Sequence, residues 1–320
     1  MSDDDARAAR SISGGSVQEA ELGAAPKVAW TAKRDRADSP FAQGVRRLRR
    51  STTALVGAFI VALLLVVALF ADVLAPQSPI ASDQGHTFER PSWSYPLGTD
   101  QLGRDMLSRV IHGSRISLAV GVSSVLLALF VGVPFGMIAG YYGGRADTLI
   151  MRTMDLILAF PIYLLAIILM VIFAPTAGLI GTMKVTGAIA IVRIPIYARL
   201  VRGSVLSIKE KEYIEACRAV GVRDPWILVR HVLPNCLAPI IVTTTLGIAT
   251  SIIVEATLSF LGLGTQPPTP SWGWDLKANV AFIQSNPWIS LFPGLAIFVT
   301  VLGFNLFGDG LRDALDPRLK

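Results

Sequence analysis

Three ionisable residues, Asp155, Arg193 and Glu255, stand inside otherwise apolar stretches of this 320-residue sequence. A charged group at the centre of a lipid bilayer costs at least about 2.5 kcal/mol unless it is paired or wetted. Asp155 and Arg193 fall at similar depths in consecutive antiparallel segments, so we predict that they pair; snorkelling of Arg193 to the headgroups is the alternative. Glu255 suits two roles equally, lining a polar pathway or accepting hydrogen bonds between helices.

Patterns that would indicate catalysis or metal binding are missing from the sequence. It contains no GxxxxGK[ST] phosphate loop, no HExxH and no GxSxG. His86, His112 and His231 stand in different segments without metal-ligand spacing. Cys217 and Cys236 are too few for a disulfide framework or a cysteine-based zinc site. We therefore predict no catalytic residue, no metal site and no cofactor bound by this chain.

A charged, proline-broken stretch, EYIEACRAVGVRDPWILVRHVLPN, occupies residues 212–235 between two apolar runs. Tyr213, Cys217 and Val220 recur at i, i+4 and i+7, which predicts a helix whose face formed by these residues packs on the rest of the protein. An amphipathic helix that only rests on lipid headgroups, or a solvated helix face, is the alternative.

A turn is predicted in the middle of this stretch. Gly221 follows the first helix, at the position where a left-handed residue commonly ends a helix. Asp224 and Pro225 have the types expected for the N-cap and first residue of a second helix, which Pro234 limits. The stretch therefore predicts a helix, a glycine turn and a second helix.

The composition places these residues in a membrane protein. Hydrophobic residues make up 52% of the sequence and charged residues 16%, and the mean hydropathy is +0.55. Residues 53–71 carry no charge, and as a helix they would span roughly the 30 Å of a hydrocarbon core. An all-α fold with six transmembrane helices follows, with the other spans at 116–140, within 156–183, at about 178–200, within 232–254 and within 278–308.

The distribution of Lys and Arg predicts the orientation of these spans. Basic residues crowd before the first span and between spans four and five, and the opposite side is poorer in them. By the positive-inside rule both termini and the charged stretch are cytoplasmic. The net charge of +6 thus reports topology rather than nucleic-acid binding. The two basic clusters are Lys33, Arg34, Arg36, Arg46, Arg47, Arg49 and Arg50, and Arg199, Arg202, Lys209, Lys211, Arg218, Arg223 and Arg230.

Four regions follow along the chain. Residues 1–40, poor in aromatic residues, are predicted to be a disordered cytoplasmic segment. Residues 41–115 hold the basic juxtamembrane segment, the first span and an external amphipathic segment. Residues 116–308 hold the other five spans and the cytoplasmic loop at about 204–235, and residues 309–320 form a cytoplasmic tail.

Two features of the external side are also predicted. A short amphipathic helix at 106–111 should begin at Asp105 and end at Gly113. The Gly/Pro/Trp-rich loop after the fifth span places its aromatic residues at the membrane interface. Pro161 predicts a kink within the third span.

The charged stretch resembles a known motif. Glu215, Ala216 and Cys217, followed by Gly221 and by Leu-Pro at 233–234, resemble the EAA motif of ABC importer permeases, although Cys217 replaces its second alanine and His231 an isoleucine. The segments LGTDQLGRD, YARLVRG, EATLSFLGLG, QPPTPSWG and NLFGDGLRDALDPRL are similar to the C-type permease subunit of dipeptide and oligopeptide (peptide/nickel) importers.

This resemblance implies a type I ABC importer permease-like bundle in the bacterial cytoplasmic (inner) membrane, with a cytoplasmic coupling helix. Its expected partners are membrane lipid, a homologous second permease, two ATPase subunits carrying ATP and Mg, and an extracytoplasmic substrate-binding protein; no nucleic acid is expected. The substrate is a dipeptide, oligopeptide, nickel complex or other solute. The implied ATPase-coupling residues are Glu215, Ala216, Cys217, Ala219, Gly221 and Asp224.

Two other functional classes are alternatives to an importer subunit that is not itself an enzyme. A self-sufficient secondary transporter or channel would favour inverted repeats and intramembrane carboxylate clusters. An intramembrane enzyme would need a nucleophile and base, or metal ligands, on facing spans. The sequence shows neither pattern.

Overall fold

The computed structural model describes residues 48–49 and 51–315. The predicted disordered segment 1–40, most of the first basic cluster and residues 316–320 lie outside this part of the chain. The described residues form helices and loops without a β-strand. The helices are α1 (Thr52–Leu69), α2 (Ala71–Leu74), α3 (Met106–Tyr142), α4 (Gly144–Leu158), α5 (Ile162–Phe173), α6 (Gly178–Lys209), α7 (Glu212–Ala219), α8 (Asp224–Ile227), α9 (Leu233–Phe260), α10 (Trp272–Asn279) and α11 (Trp288–Leu315).

The sequence predicted six membrane spans, and the described part of the chain has five such helices, or six if a bent pair of helices counts as one span. Within residues 51–315, five helical segments are long and apolar enough to cross a membrane: α1, α3, α6, α8 continued into α9, and α11. The pair α4 and α5 passes the same test together, but bends by 90° at the break between them. The bend follows from Pro161, which cannot continue a helix and stands at the N-cap of α5.

Helices α3 and α6 pack closely along a stripe of small residues. Gly132, Gly136 and Gly140 repeat every four residues and face α6. A Cβ at Gly136 would lie 2.9 Å from the Val201 Cβ, and one at Gly140 would lie 2.8 Å from the Val205 Cβ. Without side chains at these positions the two backbones approach closely, which is how helices associate in membranes.

The external end of α3 differs from the prediction. Asp105 caps the helix as predicted, since its carboxylate accepts from the Ser108 backbone N–H at 2.8 Å. The helix does not end at Gly113, however, but runs for 37 residues in total, from Met106 to Tyr142. The predicted separate amphipathic helix is therefore the first part of α3. Gly113 instead admits the Trp272 indole, whose Cδ1 would lie 2.7 Å from a Cβ there.

The last helix is longer than the sequence suggested. Helix α11 continues through the start of the predicted 309–320 tail to Leu315. It packs against α1, where Gly303 faces Ile60 and Gly310 faces Ala54. Residues 309–315, the part of the predicted tail that the structure describes, thus belong to the last span's helix.

Candidate functional site

Helix α7, in the predicted coupling segment, is fixed to the bundle by one apolar side chain. Ile214 is fully buried in a cluster with Val201, Val205 and Ile208 of α6. The predicted packing face was wrong for two of its three residues, since Tyr213 is 40% and Val220 78% exposed. The helix is rotated so that Ile214, the residue after Tyr213, points inward. Of the three predicted residues, only Cys217 packs against the cluster.

The predicted turn after α7 is present and has a defined geometry. Gly221 has φ of +79°, in the left-handed region that glycine adopts without steric cost. Its N–H donates to the Arg218 carbonyl at 2.9 Å, and the Val222 N–H donates to the Cys217 carbonyl at 3.0 Å. This pair of bonds is the Schellman motif, which satisfies the last carbonyls of a helix.

Asp224 does not cap α8 as predicted, because the N-cap is Arg223 and Asp224 is the first helical residue. Its carboxylate instead accepts from the Tyr141 hydroxyl at 2.7 Å. The Arg218 guanidinium lies 4.9 Å from the Tyr141 ring centre and donates to the same hydroxyl at 3.3 Å. That hydrogen bond raises the pKa of Arg218 above its ordinary value. The cluster ties α7 and α8 to the C-terminal end of α3.

The second helix of the segment runs into a membrane span. Pro234 does not limit it as predicted; residues Leu228–Val232 form a π-helical turn that joins α8 to α9. Pro234 stands in the first turn of α9, where a missing N–H is tolerated. A displacement of α8 is therefore passed to a spanning helix without an intervening loop.

The outward surface of α7 and α8 carries most of the predicted coupling residues. Glu215, Ala216, Ala219 and Gly221 are exposed, and Cys217 and Asp224 are partly buried. Three large apolar side chains stand beside them; the sequence placed Val220 on the packed face instead and predicted no role for the other two. These are Val220, Trp226 and Val229, which are 78%, 62% and 60% exposed.

The predicted pair of Asp155 and Arg193 is not formed. Asp155, at the exposed surface of α4, forms an ion pair with Arg199. Arg193 lies six residues earlier on α6, is 9% exposed and donates to the Thr250 hydroxyl. The 90° bend after α4 places Asp155 beside the later turn of α6, a position that counting residues along straight spans does not give.

Glu255 has the helix-bonding role rather than the pathway-lining one in this conformation. The carboxylate is fully buried. It accepts hydrogen bonds from the hydroxyls of Ser117 at 3.1 Å, Ser259 at 2.8 Å and Ser271 at 3.0 Å. It thereby joins α3, α9 and the loop before α10.

A second buried polar contact, which was not predicted from the sequence, lies near the N-terminal end of α3. Arg109 forms an ion pair with Asp275 of α10; the two side chains are 1% and 0% exposed. Arg109 also donates to the Pro79 carbonyl at 2.9 Å. Trp272, assigned to the membrane interface from the sequence, is buried and donates to the Val110 carbonyl at 2.9 Å. These contacts hold α10 and the loop after α2 on the start of α3.

The described part of the chain contains no candidate metal site. Among residues 48–49 and 51–315, no group of three or more His, Cys, Asp or Glu side chains is placed to hold a metal ion. Cys217 and Cys236 are free thiols that stand in different helices.

The fold and this surface define the transmembrane subunit of an ABC transporter. A chain of the MetNI methionine ABC transporter, solved in inward-facing conformations, superposes with a TM-score of 0.53 over 66% of this chain and 98% of that one. Its sequence is 20% identical, so the likeness concerns the fold. Residues 132–320 match the family described as binding-protein-dependent transport system inner membrane component, and residues 39–91 match the N-terminal TM domain of oligopeptide transport permease C.

The chain belongs to the binding-protein-dependent transport system inner membrane component family. It is 45% identical to the dipeptide transport system permease protein DppC of Alkalihalophilus pseudofirmus, over 88% of this chain and 91% of that one. It is 46% identical to the glutathione transport system permease protein GsiD of Escherichia coli, over 95% and 97%. The Pseudomonas aeruginosa di/tripeptide permease DppC is 44% identical over 88% and 93%. The resemblance stated from the EAA-like motif is confirmed, and the chain is a multi-pass inner-membrane permease that works with ATPase partners.

Proposed function

We propose that this chain forms half of the translocation pathway of an ATP-driven importer of short peptides. The carrying observation is that relatives matching almost the whole chain at 44–46% identity are named for dipeptide, di/tripeptide and glutathione transport. A homologous second permease would complete the pathway, and an extracytoplasmic binding protein would deliver the substrate.

The surface of α7 and α8 is the proposed contact with two ATPase subunits, which would carry ATP and Mg. Val220 and Trp226 offer apolar area on a pair of helices that the glycine turn and the Tyr141 cluster hold in a fixed relation. Exposed apolar side chains of this size mark interaction sites. ATP-driven movement of the partners would reach α9 through the π-helical turn and shift the pathway between its two openings.

Co-purification tests the assembly. From mild detergent, the tagged chain should bring down a second permease and ATP-hydrolysing subunits. Trp226→Ala should reduce the recovery of ATPases while leaving the second permease bound, because Trp226 is 62% exposed and supports no buried contact of the bundle. Leu149→Ala is the matched control, since Leu149 is equally exposed at 72% but lies on α4. Equal ATPase recovery from both variants would contradict the docking surface.

Uptake by reconstituted vesicles tests the substrate. With the cognate binding protein, they should accumulate a dipeptide in an ATP-dependent manner. Glutathione is the second candidate, because the glutathione permease match covers 95% of this chain. Preference for glutathione would move the assignment to that tripeptide, and accumulation of neither would refute the proposed substrate class.

The orientation is part of the proposal and can be tested with impermeant thiol reagents. Ser92 lies in the loop between α2 and α3, and Ser207 near the other end of the bundle; both are exposed. Ser92→Cys should react in intact cells and Ser207→Cys should react only after lysis. The reverse pattern would invert the predicted topology, in which both termini are cytoplasmic.

A further inference from the structure

A small cavity opens at the break between α4 and α5. Its volume is about 230 Å³, below the 300–1,000 Å³ typical of sites that enclose a whole drug-sized ligand. The space therefore suits one end of a larger molecule. Its lining includes Ile162 and Tyr163 of α5, Arg193 and Ile196 of α6, and Thr250 and Val254 of α9.

Arg193 brings an uncompensated positive charge to this cavity. It is 9% exposed, and among the described residues no carboxylate lies within salt-bridge distance of it. Its hydrogen bond is to the neutral Thr250 hydroxyl. Gly247 leaves room for the guanidinium, since a Cβ there would lie 3.4 Å from Nη1. A buried cation with a neutral partner is costly and marks a functional position in a membrane segment.

The cavity lies beside the break between α4 and α5 and near the midpoint of α6. Arg193 stands about 22 Å from the start of α6 at Gly178 and about 24 Å from its end at Lys209. The break before α5 stands about 18 Å from the other end of that helix at Phe173. Substrate sites of transporters commonly lie at discontinuous helices of this kind.

The first turn of α5 adds a second source of positive potential. No side chain caps this helix, so its leading N–H groups and the positive end of its dipole remain available to an anion. Residues 159–164 around the break are all exposed. Irregular backbone at membrane depth is tolerated where it faces protein or water, not lipid. The break is therefore expected to face a partner protein or the water-filled pathway rather than lipid tails.

We propose that Arg193 and the first turn of α5 form a carboxylate-binding subsite, which takes the C-terminal carboxylate of the transported peptide. A guanidinium binds a carboxylate through two parallel hydrogen bonds, and the uncapped helix end favours the same charge. The rest of the lining, within the described part of the chain, includes no carboxylate, so it gives no comparable partner for an amine. The inference rests on the proposed function, because it names which part of a peptide this chain recognises.

Transport of a matched substrate pair tests the subsite. Vesicles holding the complete transporter are supplied with a dipeptide or with its C-terminal amide, each at a concentration that saturates the binding protein. The acid-to-amide uptake ratio is compared between the wild type and Arg193→Gln. The ratio should fall about tenfold or more in the variant, as expected for loss of a hydrogen bond to a charged group. Arg193→Lys should retain part of the preference.

Arg199→Gln is the matched control, with the same substitution on the same helix at a residue that pairs with Asp155; it should leave the ratio unchanged. An unchanged ratio in Arg193→Gln, at any overall rate, would refute the subsite and leave the importer function standing. Loss of the second permease on purification of Arg193→Gln would refute it too, since Arg193 would then be an interface residue. Failure of wild-type vesicles to accumulate either peptide would remove the proposed function and the subsite together.

Discussion

Replacing Gly221 with valine should uncouple the ATPases from the pathway without removing the protein from the membrane. The native φ of +79° places an L-residue in a conformation that costs about 1–2 kcal/mol, and a β-branched side chain adds to it. A Cβ at this position meets nothing within 4 Å, so no steric clash contributes. The whole penalty is conformational and falls on the Schellman turn.

A penalty of this size is enough to change the behaviour of the joint. At about 1.4 kcal/mol per factor of ten, 1–2 kcal/mol shifts a local equilibrium between closed and open turn by roughly 5–30-fold. The spans keep their apolar lengths, so insertion should be unaffected. The assay measures membrane abundance, ATPase co-purification and substrate-stimulated ATP hydrolysis on one preparation. We expect near-normal abundance with reduced stimulation.

Two variants isolate the backbone effect. Gly203→Val on α6 also places its side chain in open space but lacks the positive φ, so it should behave like the wild type. Gly221→Asn should recover part of the coupling, because asparagine tolerates the left-handed region. Stimulation at the wild-type level in Gly221→Val, or equal losses in Gly221→Val and Gly203→Val, would refute the turn as a rigid joint.

Three further outcomes are expected. Gly136→Val should destabilise the α3–α6 contact by about 1–3 kcal/mol, since its Cβ alone would clash with the Ala198 carbonyl and lie 2.9 Å from the Val201 Cβ of α6; normal membrane abundance and melting temperature would contradict this. Arg109→Met should cost about 3–5 kcal/mol by leaving the Asp275 carboxylate buried alone, and adding Asp275→Leu should restore most of the lost thermal stability. The hydrogen bond that His86 Nδ1 donates to the Asp83 carboxylate raises the pKa of His86, so the contact stabilises the loop before α3 fully below pH 6.5 and is lost as pH rises through the raised value; Asp83→Asn should lower that pKa in a histidine NMR titration.

The spans and the turn were predictable because local rules determine them. A charge-free run of spanning length requires a helix in a bilayer, and the structure has such helices at five of the six predicted places, with a bent pair of helices at the third. Gly221 ends α7 because glycine, unlike other residues, adopts a positive φ without steric cost. Its residue type alone therefore predicted the turn. The four-residue spacing of Gly132, Gly136 and Gly140 was equally visible as a close-packing signal, but its partner helix was not.

The contacts that depend on how the helices lie relative to one another were not predictable from the sequence. Helical spacing alone does not choose between the face of Tyr213 and the adjacent Ile214, and burial against α6 selected Ile214. Asp155 was paired with Arg193 by counting along straight helices, whereas the bend after α4 places it at Arg199. The Arg109 ion pair joins residues 166 positions apart, beyond the reach of any local pattern.

Helix α3 has a consequence for the timing of transport. It carries Arg109 near its N-terminal end and Tyr141 at its C-terminal end, about 48 Å apart. Pro134 lies within it and does not end it. If the helix moves as a rigid body, a tilt of about 10° at the Tyr141 end would displace the other end by roughly 8 Å. Opening on one side of the membrane and closing on the other would then take place in one movement, because a single helix links the two ends.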